Sequence, residues 1–177
     1  FTVVNGDGVD SNTTFLITRD GVVVVDTRVT PNEAEKVLIE IRKQTDLAIV
    51  YTINTHYHGD HTFGNQIFQS SGAIIAHENV RRSLFGDSGK DHLDSFKSKN
   101  IHALDKTVVT PPNIVFKDEM EIFLGGYSLR LIHVRGHTDG DLFIYIKELK
   151  TLITGDLVVY KKIPDMSDAF IELSLIH

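Results

Sequence analysis

The chain has no cysteine, which excludes disulfides and thiolate metal ligands and leaves only nitrogen and oxygen donors for any metal centre. It has no apolar run approaching the roughly 20 residues of a membrane-spanning helix. Positive charge is scarce as well. The formal net charge is −6, whereas a protein that grips phosphate backbones needs a basic surface. Tyr160-Lys161-Lys162 is the one small basic cluster near a motif, and it reads as a solvated turn. Neither nucleic acid nor a membrane is expected as a partner; a small-molecule substrate is. Internal repeats and low-complexity segments are missing too. What is present is ordinary: 177 residues, 41% hydrophobic and 24% charged, predict one globular domain over residues 1–177 with a real core. Because it opens on Phe1, the sequence reads as a processed or truncated product, with removal of a signal peptide left open. Composition leaves compartment and oligomeric state open.

Apolar residues come in short bursts bounded by turn chemistry, the pattern of strands alternating with helices. Residues 15–18 and 21–26 predict a hairpin around Asp20-Gly21, the second strand apolar on both faces and therefore central. Thr30-Pro31-Asn32-Glu33 is a helix start: a hydroxyl N-cap, proline at the first helical position, and Glu three residues after the cap. That helix runs to about Gln44 with Ala34, Val37, Leu38 and Ile41 on one stripe, and a strand over 47–53 follows, which suggests a parallel crossover unit. Beyond it the pattern predicts a short helix or turn at 63–69, a strand at 73–76 and a helix at 78–85. Residues 86–112 are polar and poorly periodic, weakly helical at 91–96, and suit a surface excursion over a site. Strands follow at 114–116, 121–124, 127–134, 142–146 and 151–154, and residues 167–176 read as the start of a helix.

The most informative stretch is His56-Tyr57-His58-Gly59-Asp60-His61, directly after the 47–53 strand. Extended backbone sends side chains i and i+2 to one side, so His56 and His58 can converge on one cation. Gly59 can take the chain through a bend that other residues resist, letting Asp60 and His61 face a second cation. Histidines in surface loops are usually just solvated, and a His-rich run can be an affinity tag. A tag, however, is a homopolymer at a terminus, whereas this cluster is internal and mixed with Asp. Imidazole and carboxylate suit zinc and other borderline metals, so the chemistry indicated is metal-activated water attacking an electrophile. Two later positions offer further ligands, each after a predicted strand: His137 in Arg135-Gly136-His137-Thr138-Asp139-Gly140-Asp141, and Asp156 in Thr154-Gly155-Asp156. Taken singly, a Gly-His or a Gly-Asp is a weak signal.

In that order, the hexapeptide, the Gly-His-Thr and the Thr-Gly-Asp resemble the metallo-β-lactamase superfamily of hydrolases, over nearly the whole chain. The resemblance implies an α/β (α+β) fold, an αββα sandwich of two mixed β-sheets with outer helices and the metals at one edge. It implies that His56, His58 and His137 bind a first metal, that Asp60 and His61 bind a second, and that Asp156 bridges both. Two zinc (Zn) ions fill the complete site in such proteins, with Fe or Mn as alternatives. The nucleophile implied is a hydroxide held between the ions, with Asp60 as the catalytic residue that orients it and takes part in proton transfer. Asp156 discriminates within the family: glyoxalase II-like general hydrolases carry a carboxylate there, while antibiotic-degrading lactamases generally have cysteine or serine. A small ester, thioester, lactone or phosphoester is therefore the expected substrate, with a β-lactam as the alternative. The family's last ligand is a histidine well beyond the Gly-Asp element. This chain ends at His177, which is not expected to be that ligand, so the fold is expected to lack its C-terminal part. A non-catalytic metal-binding fragment is thus a third reading. Among other residues, His77 is expected to be a polar helix-start residue, and His92, His102 and His133 structural. Thr55, Asn65 and Thr138 are candidates for orienting the ligands.

Overall fold

The computed structural model describes residues 1–6, 10–98, 104–159 and 167–170. Among the described residues, ten strands form two sheets. The first is β1 (Thr2–Val4), β2 (Thr13–Thr18), β3 (Gly21–Val25), β4 (Ile49–Ile53), β5 (Ala73–His77) and β6 (Ile114–Phe116), side by side in chain order. β1, β2 and β3 are antiparallel neighbours, while β3, β4, β5 and β6 run parallel. The second is β7 (Glu119–Leu124), β8 (Tyr127–His133), β9 (Leu142–Ile146) and β10 (Thr151–Ile153), antiparallel throughout. Only the first sheet is therefore mixed. Tight turns at Gly125-Gly126, both with positive φ, and at Lys147–Leu149 allow no room for parallel crossovers in the second.

β3 shows how sequence sets the layers. All five of its residues are buried. Val23 and Val25 point into the core between the sheets with Ile53, Ile75, Leu129, Leu131 and Ile144. Val22 and Val24 point the other way, onto a second core with Ala34, Val37, Ile41 and Phe68. Period-two alternation on a strand apolar at every position needs two apolar partners, and it has them.

The partners on the outer face are α1 (Pro31–Arg42), with further apolar contact from α3 (Asn65–Phe68). α1 begins as its sequence requires: Thr30 Oγ1 accepts from Glu33 N at 3.2 Å and Pro31 occupies the first turn. Between α1 and α3 lies α2 (Gly59–Thr62), a single turn that was not foreseen, while α3 is the short helix or turn expected at 63–69. α4 (Glu78–Leu84) follows β5 as expected. The 86–112 region holds α5 (Gly86–Ser98), a longer helix than its weak periodicity suggested. Only Gly89 and Leu93 of α5 are buried, so there was little apolar stripe to read. β1 was not foreseen; it is three residues long with Val3 exposed. The helix expected at 167–176 falls largely outside the described residues, as do His102 and His177. Among the described residues no helix is long and apolar enough to cross a membrane.

This topology creates one functional edge. Parallel β3, β4 and β5 end together, delivering Asp26, Asn54 to His56, and His77. In the second sheet β8 and β10 both run antiparallel to β9, so they too end on one side, delivering the His137 loop and Asp156. Leu142 N donates to Thr55 O at 2.9 Å and joins the two edges. Carboxyl ends of parallel strands are where open α/β sheets present ligand sites.

Candidate metal centre

The structure brings all six expected side chains to this edge. The rings of His56 and His58 lie 4.8 Å apart and those of His56 and His137 4.9 Å apart. His58 Nδ1 faces His137 Nε2 at 2.9 Å. Two groups of donor atoms are close enough to share an ion: His56, His58 and His137, and His56, His61 and Asp156, each within 4.8 Å. Asp60 Oδ2 and Asp156 Oδ1 each stand 3.4 Å from His61 Nε2. Asp156 also reaches toward the first group, with Oδ2 at 3.8 Å from His137 Nε2. His56 is thus common to both groups, Asp156 belongs to the second and approaches the first, and Asp60 stands beside His61 outside both groups.

A cation fits this donor set. His56 is buried, and its Nε2 has no hydrogen-bond partner among the described residues. Buried polar atoms are rarely left so unless something absent completes them. His56 Nδ1 is accounted for on the other side of the ring: it lies 3.1 Å from Thr55 Oγ1, which in turn donates to Asp26 Oδ2 at 2.7 Å. The tautomer that donates from Nδ1 leaves the Nε2 lone pair aimed into the cluster. The imidazoles also crowd one another. Burial, then the neighbouring charges of His61, His58 and His137, hold His56 well below the ordinary imidazole range, so it stays a neutral donor.

His61 has the opposite environment. Burial alone would lower it, but Asp26 and Asp60 outweigh burial and raise it well above its ordinary value. Burial likewise pushes Asp60 and Asp156 up, and contact with His61 overcomes it and holds both carboxylates below their usual range. Three carboxylates therefore converge on one imidazole. Such an excess of negative charge in a buried place is what a cation relieves.

The local backbone explains the placement. Gly59 does not use a left-handed bend, contrary to expectation; it sits inside α2. What it supplies is room, since a Cβ there would lie 2.4 Å from the Phe63 ring. Gly155 is the position that needs glycine's conformational freedom: φ is +51°, and a Cβ would meet Thr55 Oγ1 at 2.6 Å. This close approach lets Asp156 reach the hexapeptide.

Residues that the sequence reading passed over hold the donors in place. Asp26, buried and in the left-handed region at φ 61°, accepts from Thr55 N at 2.8 Å, from Thr55 Oγ1, and from His61 Nδ1 at 2.8 Å. A signal for it existed: an acidic residue ending a wholly apolar strand must be paired. Asp141 accepts from Thr138 N at 2.8 Å and Thr138 Oγ1 at 2.7 Å, closing the His137 loop. Asp168 accepts from Tyr57 Oη at 2.6 Å and lies 3.0 Å from His58 Nε2. Burial, then Asp168, raises Tyr57, which keeps its proton. Nothing local in the sequence pointed to Asp168, more than a hundred residues from its partners.

Of the candidate orienting residues, Thr55 touches a donor ring directly, while Thr138 acts through Asp141. Asn65 acts further back: it donates to Asn54 Oδ1 at 2.9 Å, and Asn54 Nδ2 donates to the His61 carbonyl at 3.1 Å. His77 begins α4, its Nδ1 accepting from Asn79 N at 3.2 Å, and its ring stacks on His133 at 3.6 Å. Neither belongs to the donor groups. His92 packs against Tyr57, Phe63 and Phe96 on α5, beside the cluster.

A cleft of about 640 Å³ is lined by Asp60, His61 and Asp156 together with Ser11, Asn12, Leu152 and Val158. That is the size range of small-molecule sites.

Residues 6–174 match the family model described as the metallo-beta-lactamase superfamily. Among curated relatives, a linear primary-alkylsulfatase of Pseudomonas sp. is 23% identical, covering 83% of this chain and 33% of its own length. The hydroxyacylglutathione hydrolase GloC of Haemophilus influenzae is 30% identical, covering 71% of this chain and 57% of its own length. This chain thus spans about a third to just over half of those relatives. Among solved structures, a metallo-beta-lactamase from Pontibacter korlensis superposes with a TM-score of 0.71 at 19% identity, over 91% of this chain and 68% of that one.

Proposed function

This chain belongs to the metallo-β-lactamase superfamily, a superfamily of metallohydrolases, and from that premise we propose that it hydrolyses a small ester, thioester, lactone or phosphoester. The observation that carries this reading is the pair of donor groups sharing His56, whose Nε2 has no partner among the described residues, with Asp60, His61 and Asp156 lining an open cleft. His56, His58 and His137 would hold one ion; Asp60, His61 and Asp156 would hold the other, with Asp156 reaching both. Zinc suits these donors, and iron or manganese are tolerated by the same set. Bound there, such ions supply Lewis acidity, which makes water nucleophilic near neutral pH and draws charge from the scissile oxygen.

The chain's own residues do the rest. Asp60, ionised and partly exposed to the cleft, accepts a hydrogen bond from water on the cleft side and takes its proton at a carboxylate oxygen. Asp26 fixes His61 so that Nε2 faces the cluster, and Thr55 does the same for His56. Leu152, Ile153 and Val158 give the cleft an apolar wall for the non-reacting part of the substrate.

Asp156 supports this reading over β-lactam hydrolysis through the resemblance alone: glyoxalase II-like hydrolases carry a carboxylate there, where antibiotic-degrading lactamases generally have cysteine or serine, and its oxygens lie 3.4 Å from His61 and 3.8 Å from His137. Relatives named for a sulfate ester, an acylglutathione and a β-lactam leave the substrate open. The test is a hydrolysis panel of thioesters, lactones, phosphodiesters, alkyl sulfates and a chromogenic cephalosporin, run on protein of known metal content. Turnover of a thioester, lactone or phosphodiester supports the reading. Turnover of the cephalosporin alone, or of nothing at full metal content, refutes it.

A further inference from the structure

We infer that Arg28 is a positioning residue for the Asp60–His61 half of the metal centre, acting as a buried clamp that ties the loop ahead of β2 to the backbone of Asp60. The inference rests on the metallohydrolase reading above and adds a residue that the donor set does not include.

Arg28 lies two residues past Asp26, with φ at +77°, a conformation that residues other than glycine seldom adopt. Such a backbone persists only where the surroundings over-determine it. Here they do. The guanidinium, 3% exposed, donates from Nη2 to Val4 O at 2.8 Å and Asn5 O at 2.7 Å, and from Nη1 to Ser11 O. Nη1 also pairs with Asp10 Oδ2 at 3.4 Å. Three carbonyls and a carboxylate, from both ends of one loop, are thus gathered on a single planar fork. A lysine ammonium cannot serve four oxygens spread in this way.

Gly6 and Ser11 approach the clamp so closely that no side chain fits at Gly6. A Cβ on Gly6 would lie 2.5 Å from Arg28 Nη1 and 2.3 Å from Ser11 O. Asp10 Oδ1 accepts from Val29 N at 2.9 Å and Ser11 N at 3.0 Å, stitching the loop to the residue after the clamp. Ser11 Oγ then donates to the Asp60 carbonyl at 2.6 Å. A continuous chain of contacts therefore runs from Arg28 through Ser11 to Asp60, and Asp10, Ser11 and Asn12 line the same cleft as Asp60. The first donor group, His56, His58 and His137, has no part in it. The clamp should govern one half of the centre and spare the other.

Arg28→Gly is the discriminating variant, because glycine accepts positive φ without strain and only the guanidinium is lost. In the metal-free protein, amide exchange at Ser11 and Val29 should quicken about tenfold or more, while Val24 in β3 stays protected. In a zinc titration the second ion should bind about tenfold or more weakly, the first staying within about twofold of the parent. Added guanidinium chloride at millimolar concentration should recover part of the second step. Ser11→Ala should weaken that step while leaving Val29 protected, since it cuts only the link to Asp60. Should Arg28→Gly fail to fold, Arg28→Lys, which keeps charge but not the fork, is expected to show the same selective loss. Parent-like behaviour in both titration steps, or equal loss of both, overturns the inference. If the parent itself takes up no zinc, the hydrolase reading fails separately. The exchange data then decide the clamp, and unchanged protection at Ser11 and Val29 sinks it.

Discussion

Replacing Asp26 by Asn tests how the donors are oriented. The carboxylate receives Thr55 N, Thr55 Oγ1 and His61 Nδ1, all within 2.8 Å. An amide of nearly the same shape can still accept from Thr55 N through its oxygen. Its NH2 group would then face His61 Nδ1 and Thr55 Oγ1, and an N–H cannot accept from an N–H. His61 would have to turn its Nδ1 lone pair toward the amide, which places the proton on Nε2, the atom facing Asp60 and Asp156. That atom could no longer bind a cation. The charge-assisted hydrogen bonds from His61 Nδ1 and Thr55 Oγ1 to Asp26 Oδ2 are both lost, so the metal-free protein should be destabilised by at least about 1.5–3 kcal/mol. Loss of an orienting carboxylate weakens a metal site by about ten- to a hundredfold, or about 1.4–2.8 kcal/mol. The assay is a zinc titration against a competing chelator, paired with urea unfolding in excess chelator. The ion held by His61 should weaken by that factor, and the ion held by His56, His58 and His137 by less, because Asp26 reaches His56 only through Thr55. Asp26→Asn protein that binds both ions as tightly as the parent would falsify the orienting role.

Other outcomes follow from the same geometry. His56→Ala removes the imidazole common to both donor groups, so metal content by elemental analysis should fall to below one ion per chain and hydrolysis should cease; His102→Ala should change neither. Gly155→Ala forces a side chain into φ +51° and against Thr55, and should cost about 1–3 kcal/mol in urea unfolding while reducing metal uptake through Asp156. His77 is held below its ordinary pKa of 6.5 by burial first and then by the stacked His133. Its neutral form is favoured in the folded state, so it contributes stability above about pH 6.5 that is lost as the pH falls through the lowered folded value. His77→Asn, which keeps a capping oxygen for α4, should flatten that loss in chelator-treated protein; identical pH profiles for parent and variant would contradict it.

The parts of the site that could be read from sequence were those encoded within a few residues. His56 and His58 stand out as an i, i+2 pair just past β4, although residues 55–57 bend and are not extended as the alternation argument assumed, and Thr30-Pro31 declares the start of α1, so both were visible in local spacing. His137 and Asp156 were visible only because each follows a strand, and only the family pattern joined them to the hexapeptide. The helix Gly86–Ser98 was obscured because it is almost all polar and buries only Gly89 and Leu93. Asp26 left a trace, a charge ending an apolar strand, that local reading alone does not convert into a partner. Arg28 and Asp168 left none, because their contacts span roughly 20 and more than a hundred residues. Gly59 was read for the right residue and the wrong reason: it gives space to Phe63, not a bend.

The central claim is that these side chains enclose metal ions, and anomalous diffraction at the zinc edge on zinc-loaded crystals tests it most directly. The account predicts a peak about 2.0–2.2 Å from His56 Nε2, His58 Nδ1 and His137 Nε2, with a second beside Asp60, His61 and Asp156. Protein crystallised with zinc that shows no peak there, or a peak held by other residues, contradicts it.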